Sequence, residues 1–228
     1  MEEEKNVEIN TIPRLFWDSV ITKHNKIAMR EKHLGIWQST TWEEYGIAAR
    51  NIGLALNSLG LKKGDVVSIA SEGIPEWLFT DMGTIAVGGI SSGVYTTDSS
   101  SQVKYLVNDS KTKFYFAENE EQLDKILEVR DECPTLEKII VYDMEGLHNF
   151  RDNQVISYEE FVKIGQKLND EQSDLWIDLI KSVQPDDIAI LVYTSGTTGP
   201  SKGAMISNKN LMYSVNVGLE IFKPKENE

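Results

Sequence analysis

The sequence is poor in cysteine and in long apolar runs. Cys133 is its only cysteine, so the chain forms no internal disulfide. No stretch approaches the ~20 apolar residues that a membrane-spanning helix needs, which leaves only peripheral contact with a bilayer open. The opening residues, MEEEKNVEIN, have neither the basic nor the apolar region of a secretory signal. These absences favour a cytoplasmic protein.

Positive charge is also scarce. The chain has 23 Lys and Arg against 36 Asp and Glu, which gives a formal net charge of −13. Binding to a nucleic-acid backbone depends on Lys and Arg, so we expect no nucleic-acid partner. The three histidines, His24, His33 and His148, lack the spacing of metal ligands. The 40% hydrophobic content is typical of a globular domain, which at this length buries roughly 70% of its unfolded surface.

Short apolar runs alternate along the chain with segments of helical periodicity. Residues 41–59 repeat apolar side chains at intervals of three and four, with Thr41 and Glu44 spaced as a capping box and Gly60 as a stop. Such alternation is typical of strand–helix–strand units. We therefore predict an α/β fold with a mainly parallel sheet and helices on both faces. The predicted strands are 66–70, 90–95, 114–117 and 139–142, and the further helices are 75–87, 99–107 and 120–130.

The two flanks of this alternating region have other patterns. Residues 12–22 read as a helix, and residues 26–30 and 36–40 as a hairpin that turns near Leu34 and Gly35. We accordingly divide the chain into an N-terminal helix and hairpin (1–40) and an α/β portion (41–228). The polar stretch 144–187, with helical pieces at 158–168 and 173–180, is interpreted as an excursion over the surface.

One segment carries a recognisable chemistry. A predicted buried strand at 188–193 runs directly into a loop of hydroxyls and glycines and then into a lysine. Exposed backbone N–H groups, short hydroxyls and one cation are what a polyphosphate site needs. The spacing matches neither G-x-x-x-x-G-K-[ST] nor G-x-G-x-x-G. The loop residues are Thr194, Ser195, Gly196, Thr197, Thr198, Gly199, Pro200, Ser201, Lys202 and Gly203. A strand at 204–207 and a helix at 208–221 are predicted to follow.

This stretch resembles the phosphate-binding signature of the adenylate-forming (AMP-binding) superfamily, [ST]-S-G-[ST]-T-G-x-P/S-K-G after a buried strand. The resemblance covers nearly the whole chain, and the segments at 93–97, 118–119 and 123–143 are most similar to the N-terminal part of long-chain fatty acyl-CoA synthetases. It implies the N-terminal portion of the large domain of such an enzyme. The rest of that domain and the small C-terminal domain would then lie outside residues 1–228.

The resemblance also implies a reaction. A fatty-acid carboxylate attacks the α-phosphorus of ATP bound with Mg²⁺, pyrophosphate leaves, and coenzyme A then displaces AMP to give acyl-CoA. The implied phosphate-binding residues are Thr194, Ser195, Gly196, Thr197, Thr198, Gly199 and Lys202. Lys202 is the implied catalytic residue, because a cation there stabilises the departing pyrophosphate. Thr194 is the implied contributor to the Mg²⁺ shell, together with an acidic residue that this chain lacks.

The sequence leaves several alternatives open. The chain alone is expected to be inactive, since the segments that bind adenine and ribose in the family are not among its residues. A non-catalytic nucleotide-binding or interaction module that keeps the phosphate loop is the alternative function. The family frequently has His where this chain has Asn208, to which no role is assigned. Acyl-chain length and oligomeric state are not predicted.

Overall fold

The computed structural model describes residues 9–194 and 200–223. These two stretches contain a seven-stranded sheet, a separate two-stranded hairpin and eight α-helices. Within them, no helix has both the length and the apolar character needed to cross a bilayer. The helices are α1 (Ile12–Lys23), α2 (Trp42–Ser58), α3 (Pro75–Ala86), α4 (Ser100–Ser110), α5 (Glu120–Val129), α6 (Tyr158–Glu171), α7 (Leu175–Ser182) and α8 (Asn208–Phe222). The strands are β1 (Ile27–His33), β2 (Ile36–Thr41), β3 (Val66–Ala70), β4 (Ile90–Val94), β5 (Thr112–Ala117), β6 (Lys138–Val141), β7 (Val155–Ser157), β8 (Ile188–Thr194) and β9 (Lys202–Ser207).

The large sheet has the strand order β7-β6-β5-β3-β4-β8-β9. Each pair of neighbours is parallel except β8 and β9, which are antiparallel. The predicted α/β class and the mainly parallel sheet are therefore confirmed. Parallel strands bring their carboxyl ends to one edge, so the segments that follow β3, β4, β5, β6 and β8 meet there.

Helices cover both faces of this sheet, as predicted. Successive side chains of a strand point to opposite faces, and β5 shows the division. Phe114 and Phe116 pack with α2, α6 and α7, whereas Tyr115 and Ala117 pack with α4 and α5. All four side chains are fully buried.

The capping signals in the sequence mark the observed helix ends. The Thr41 hydroxyl accepts a hydrogen bond from the Glu44 backbone N–H, and the Glu44 carboxylate accepts one from the Thr41 N–H. Gly60, two residues after α2, has a φ of +95° that few other residues adopt at low cost. The predicted helix 41–59 is therefore confirmed.

The interpretation of 144–187 as a surface excursion was wrong. Phe161 of α6 and Trp176 of α7 are buried in the same core as the central strands. Gly165 allows this packing, since a Cβ atom there would lie 1.8 Å from the Asn51 carbonyl oxygen of α2. The sequence analysis also missed β7, whose three residues are too few to show a periodicity.

The N-terminal elements pack against α2. Phe16 and Val20 of α1 form a small core with Tyr45 and Ala49. The predicted hairpin is confirmed as the antiparallel pair β1–β2. Its turn residues Leu34 and Gly35 have φ values of +47° and +83°, and positive values at both central positions suit the right-handed twist of a hairpin.

Candidate active site

The sequence motif begins in β8 and ends in β9, and we call the described residues of this antiparallel pair, 188–194 and 200–207, the motif hairpin. Thr194 is the last residue of β8 and Lys202 the first of β9, and the two are paired directly across the hairpin. Both are exposed. The other predicted phosphate-binding residues, Ser195, Gly196, Thr197, Thr198 and Gly199, lie outside the described residues. The geometry thus brings together the two ends of the predicted loop.

Strand β8 ends at the carboxyl edge of the sheet. Because β8 is parallel to β4, and β4 to β3, Thr194 is at the same edge as the segments that follow those strands. In open α/β sheets, ligands bind in the crevice outside the carboxyl ends of the strands. The motif is therefore placed where this architecture binds ligands.

Polar residues that the sequence analysis did not single out form a network along this edge. The Glu118 carboxylate accepts hydrogen bonds from the Ser71 hydroxyl at 3.0 Å and from the Glu72 backbone N–H at 2.5 Å. The Thr96 hydroxyl donates to the Glu72 carboxylate, and the Lys125 ammonium donates to the Thr96 carbonyl oxygen. Their common signal is position: Ser71, Glu72, Thr96 and Glu118 all come within two residues of a strand end.

The two halves of the edge differ in charge. Beyond β5 and β6, a cavity of about 250 Å³ is lined by Glu76, Glu118 and Asp143 among others. Carboxylates there disfavour a phosphate by like-charge repulsion. At the other half, Lys202 forms no ion pair with any residue that the structure describes. The carboxylates over β5 and β6 therefore oppose an anion there, whereas at the motif hairpin the exposed Lys202 lies near one described carboxylate, that of Asp109, which accepts from Tyr193.

Helix α4 holds the motif hairpin through two phenol hydroxyls. The Tyr193 hydroxyl of β8 donates to Asp109 Oδ2 at 2.8 Å, and the Tyr105 hydroxyl of α4 donates to the Ser201 carbonyl oxygen at 2.7 Å. Burial, and then the hydrogen bond to Asp109, raise the pKa of Tyr193. The phenol therefore stays protonated and can donate at neutral pH.

Asn208, to which the sequence assigned no role, connects distant parts of the fold. Its side chain is 1% exposed at the start of α8. Its Oδ1 accepts a hydrogen bond from the Ile12 backbone N–H at 3.2 Å, and its Nδ2 donates to the Asp187 carbonyl oxygen at 3.3 Å. Asn208 thus attaches α1 and the start of β8 to α8.

The described residues offer little for a tightly held metal. No group of three or more His, Cys, Asp or Glu side chains in residues 9–194 and 200–223 could hold one. The Thr194 hydroxyl is an oxygen donor of the kind that Mg²⁺ accepts when it is bound mainly by substrate phosphates. Cys133 is buried, and burial raises the pKa of its thiol, which makes it a poor nucleophile.

Comparison with known proteins identifies relatives along almost the entire chain. The family model described as "AMP-binding enzyme" matches residues 16–226. The human long-chain-fatty-acid–CoA ligase ACSBG1 is 33% identical over 208 residues, which is 91% of this chain but 28% of that protein. The chain thus spans less than a third of the length of this relative.

Solved structures share the same fold. An anthranilate CoA ligase, AuaEII, in complex with anthranoyl-AMP superposes on 92% of this chain and 37% of its own, with a TM-score of 0.73 and 20% identity. A fatty acyl-adenylate ligase from L. pneumophila, in complex with acyl adenylate and pyrophosphate, covers 96% of this chain and 34% of its own, with a TM-score of 0.70 and 20% identity. At this identity the likeness shows the fold alone.

Proposed function

Because this chain belongs to the AMP-binding enzyme family, we propose that it forms part of an acid–thiol ligase that converts a long-chain fatty acid to its acyl-CoA. The observation that carries the proposal is the match of residues 16–226 to the family, together with the placement of Thr194 and Lys202 at the carboxyl edge of the sheet. The fatty-acid substrate class is taken from the activity named for ACSBG1.

The proposed reaction has two steps. A carboxylate oxygen attacks the α-phosphorus of ATP, the bond from that phosphorus to the bridging oxygen breaks, and pyrophosphate leaves. The thiol of coenzyme A then attacks the acyl carbonyl carbon, and AMP leaves as the thioester forms. Negative charge grows on pyrophosphate only in the first step, so groups placed at that position lower the barrier of that step.

Each motif residue has a proposed task. The hydroxyls and backbone N–H groups of Ser195, Gly196, Thr197, Thr198 and Gly199 hold the phosphates, as such groups do at nucleotide sites. The Lys202 ammonium neutralises the departing pyrophosphate. Bound Mg²⁺ would supply further positive charge to the phosphates, and the Thr194 hydroxyl would be one of its ligands.

The proposal extends to the arrangement of the protein. We assign residues 1–40 to an N-terminal helix and hairpin and residues 41–228 to the α/β portion of the AMP-binding domain. Residues 1–228 alone are expected to be inactive, and the enzyme is expected to work in the cytoplasm. These assignments rest on the alternating pattern of the sequence, its single cysteine and the likeness to much longer relatives.

The test is the Lys202→Ala substitution in the complete protein. Fatty-acid-dependent exchange between ATP and pyrophosphate should fall roughly 10²- to 10³-fold, the loss of one preorganised donor. Conversion of supplied acyl-adenylate to acyl-CoA should fall much less, because pyrophosphate is absent from that step. Lys209→Ala, which removes an exposed lysine from α8, is the matched control and should change neither rate.

Two outcomes would contradict the proposal. Equal losses in both steps would mean that Lys202 acts on folding or on closure of the site. A complete wild-type protein that binds ATP without exchanging pyrophosphate would support the non-catalytic nucleotide-binding module instead.

A further inference from the structure

Helix α4 contacts the motif hairpin at two described residues, Tyr193 and Ser201. Tyr193, which precedes Thr194, donates to Asp109, and Ser201, which precedes Lys202, accepts from Tyr105. Tyr105 and Asp109 are four residues apart on α4, so they lie on the same face of the helix. One face of α4 therefore holds Tyr193, which precedes Thr194, and Ser201, which precedes Lys202.

Gly203 gives the Tyr193 ring room beside β9. It is paired with Tyr193 across the hairpin, and a Cβ atom at this position would lie 3.1 Å from Tyr193 Cζ and 3.3 Å from the Tyr193 hydroxyl oxygen. Contacts this short would displace the ring. The glycine that follows Lys202 thus leaves the space that the Tyr193 ring occupies beside β9.

The chemistry of the two contacts suits an anchor more than a chance surface contact. Tyr193 is buried, and its hydroxyl donates to the carboxylate of the exposed residue Asp109, which makes a stronger hydrogen bond than one between neutral groups. Tyr105 donates to a backbone carbonyl, so its contact fixes the main chain itself at Ser201. The two bonds span 84 and 96 residues of sequence, and one holds β8 at Tyr193 while the other holds the residue that precedes β9.

We propose that Tyr105, Asp109 and Tyr193 form a clasp that sets the positions of Thr194 and Lys202. On the proposed function, on which this inference rests, they are positioning residues for the first half-reaction. Because the residue before each of them is held, Thr194 and Lys202 have fewer conformations to lose when they bind the phosphates of ATP. Without the clasp, Lys202 would still be present but would reach the departing pyrophosphate in a smaller fraction of molecules.

The central test is Tyr105→Phe in the complete protein, which removes one hydroxyl and keeps the ring. Hydrogen exchange of the amides in 201–203 should become at least about fivefold faster, which corresponds to the loss of about one hydrogen bond. The rate of ATP–pyrophosphate exchange should fall about 5- to 10-fold, whereas thioester formation from supplied acyl-adenylate should be unchanged. Tyr213→Phe, at a tyrosine 73% exposed on α8, is the matched control and should change none of these.

A second pair of variants tests the other half of the clasp. Asp109→Asn retains an oxygen that can accept from Tyr193, so it should keep most of the wild-type exchange rate and amide protection. Asp109→Ala removes the acceptor and should behave like Tyr105→Phe. Unchanged amide exchange in both Tyr105→Phe and Asp109→Ala would overturn the clasp. Equal losses in both half-reactions would show a general defect and would also overturn it.

The readouts separate this inference from the proposed function. A wild-type protein without ATP–pyrophosphate exchange would disprove the proposed function, while the amide protection at 201–203 would still test the clasp. Faster amide exchange in Tyr105→Phe with an unchanged ATP–pyrophosphate rate would show that the contact exists but does not position Lys202 for catalysis, and so would overturn the positioning role.

Discussion

The middle of the sheet and the motif hairpin are built differently. In β3 each of the five residues is buried, whereas no residue of β9 is buried and β8 has two buried residues, Ala189 and Tyr193, among half-buried and exposed ones. Against one face of this sheet, helices α6 and α2 pack backbone to backbone. Gly165 of α6 has no Cβ atom, which lets α6 lie close to α2. The hairpin is instead fastened to α4 by the side chains of Tyr193 and Tyr105. The fold is therefore stabilised away from the motif, and ligand-binding loops generally belong to the less stable parts of a structure.

The largest expected effect comes from adding a side chain at Gly165, where α6 packs most closely against α2. A Cβ at Gly165 would lie 1.8 Å from the Asn51 carbonyl oxygen and 3.0 Å from the Ala55 nitrogen, both backbone atoms that cannot rotate away. Gly165→Ala must therefore separate α6 from α2, and overpacking of this kind costs about 3 kcal/mol or more. Denaturant titration followed by circular dichroism measures the loss.

The matched control is a helical glycine outside this packing. Gly218 of α8 has no heavy atom within 4 Å of the position of a Cβ. Gly218→Ala should therefore stabilise the protein by about 0.5–1 kcal/mol, because alanine favours a helix. A similar small gain for Gly165→Ala would contradict the contrast between the two regions.

The second prediction concerns Asp81 of α3, a half-buried residue whose Oδ1 atom is buried where α3 packs against α2 and β4. Burial raises the pKa of Asp81 to about 6, with the Ser91 hydroxyl acting in the opposite direction. Between the ordinary carboxyl pKa of about 3.9 and this value, the folded state binds more protons than the unfolded state. The free energy of unfolding should therefore decrease as pH rises through this window and stay lower above it.

Asp81→Asn removes the titration and isolates its contribution. Relative to the wild type, the variant should become more stable by about 2 kcal/mol as pH rises from 4 to 7, a difference reduced if water reaches the carboxyl group. Thermal unfolding at several pH values tests this. A difference between the two proteins that is constant with pH would mean that Asp81 titrates normally in the fold.

The third prediction tests the link between the packed region and the elements that follow the motif. Asn208→Ala removes two hydrogen bonds and leaves the Ile12 N–H without its side-chain acceptor, which should cost about 1–2 kcal/mol. Asn216→Ala, at an exposed position of the same helix, should stay within about 0.5 kcal/mol of the wild type. Equal effects of the two substitutions would show that the Asn208 contacts contribute nothing.

The sequence predicted the parts of the fold whose signals are local. The capping box at Thr41 and Glu44 and the apolar runs that became β3 and β5 are examples, because each depends on a few consecutive residues. The burial of α6 could not be predicted in the same way. It depends on Gly165 facing one carbonyl oxygen of another helix, a contact that only the three-dimensional structure reveals.

The same difference between local signals and long-range contacts applies to the candidate site. Thr194 and Lys202 belong to one contiguous motif, so a short pattern was enough to single them out. Tyr105 and Asp109 act on that motif from a helix more than 80 residues earlier, and nothing in their local sequence marks them. The structural role of Asn208 could not be predicted for the same reason, since its partner Ile12 is 196 residues away.

The smallest expected effect compares two lysines. Lys113, at the start of β5, contacts Asp65 at 3.1 Å, Glu137 at 3.3 Å and the Gly60 carbonyl oxygen at 2.9 Å. Lys113→Met should lower the free energy of unfolding by about 1 kcal/mol, near the upper end for ion pairs that remain partly in water. The loss should shrink in 1 M NaCl, where the screening length falls to about 3 Å.

Lys202→Met should change the free energy of unfolding by less than about 0.5 kcal/mol, because no described carboxylate pairs with Lys202 and its side chain is exposed. A small stability change in Lys202→Met, together with the large loss of ATP–pyrophosphate exchange expected of Lys202→Ala, would show that Lys202 contributes to the reaction, whereas Lys113 contributes to folding. A destabilisation by Lys202→Met as large as that by Lys113→Met would contradict this distinction. It would mean that Lys202 stabilises the fold itself, and a slower reaction in its variants would then be no evidence for a role at the departing pyrophosphate.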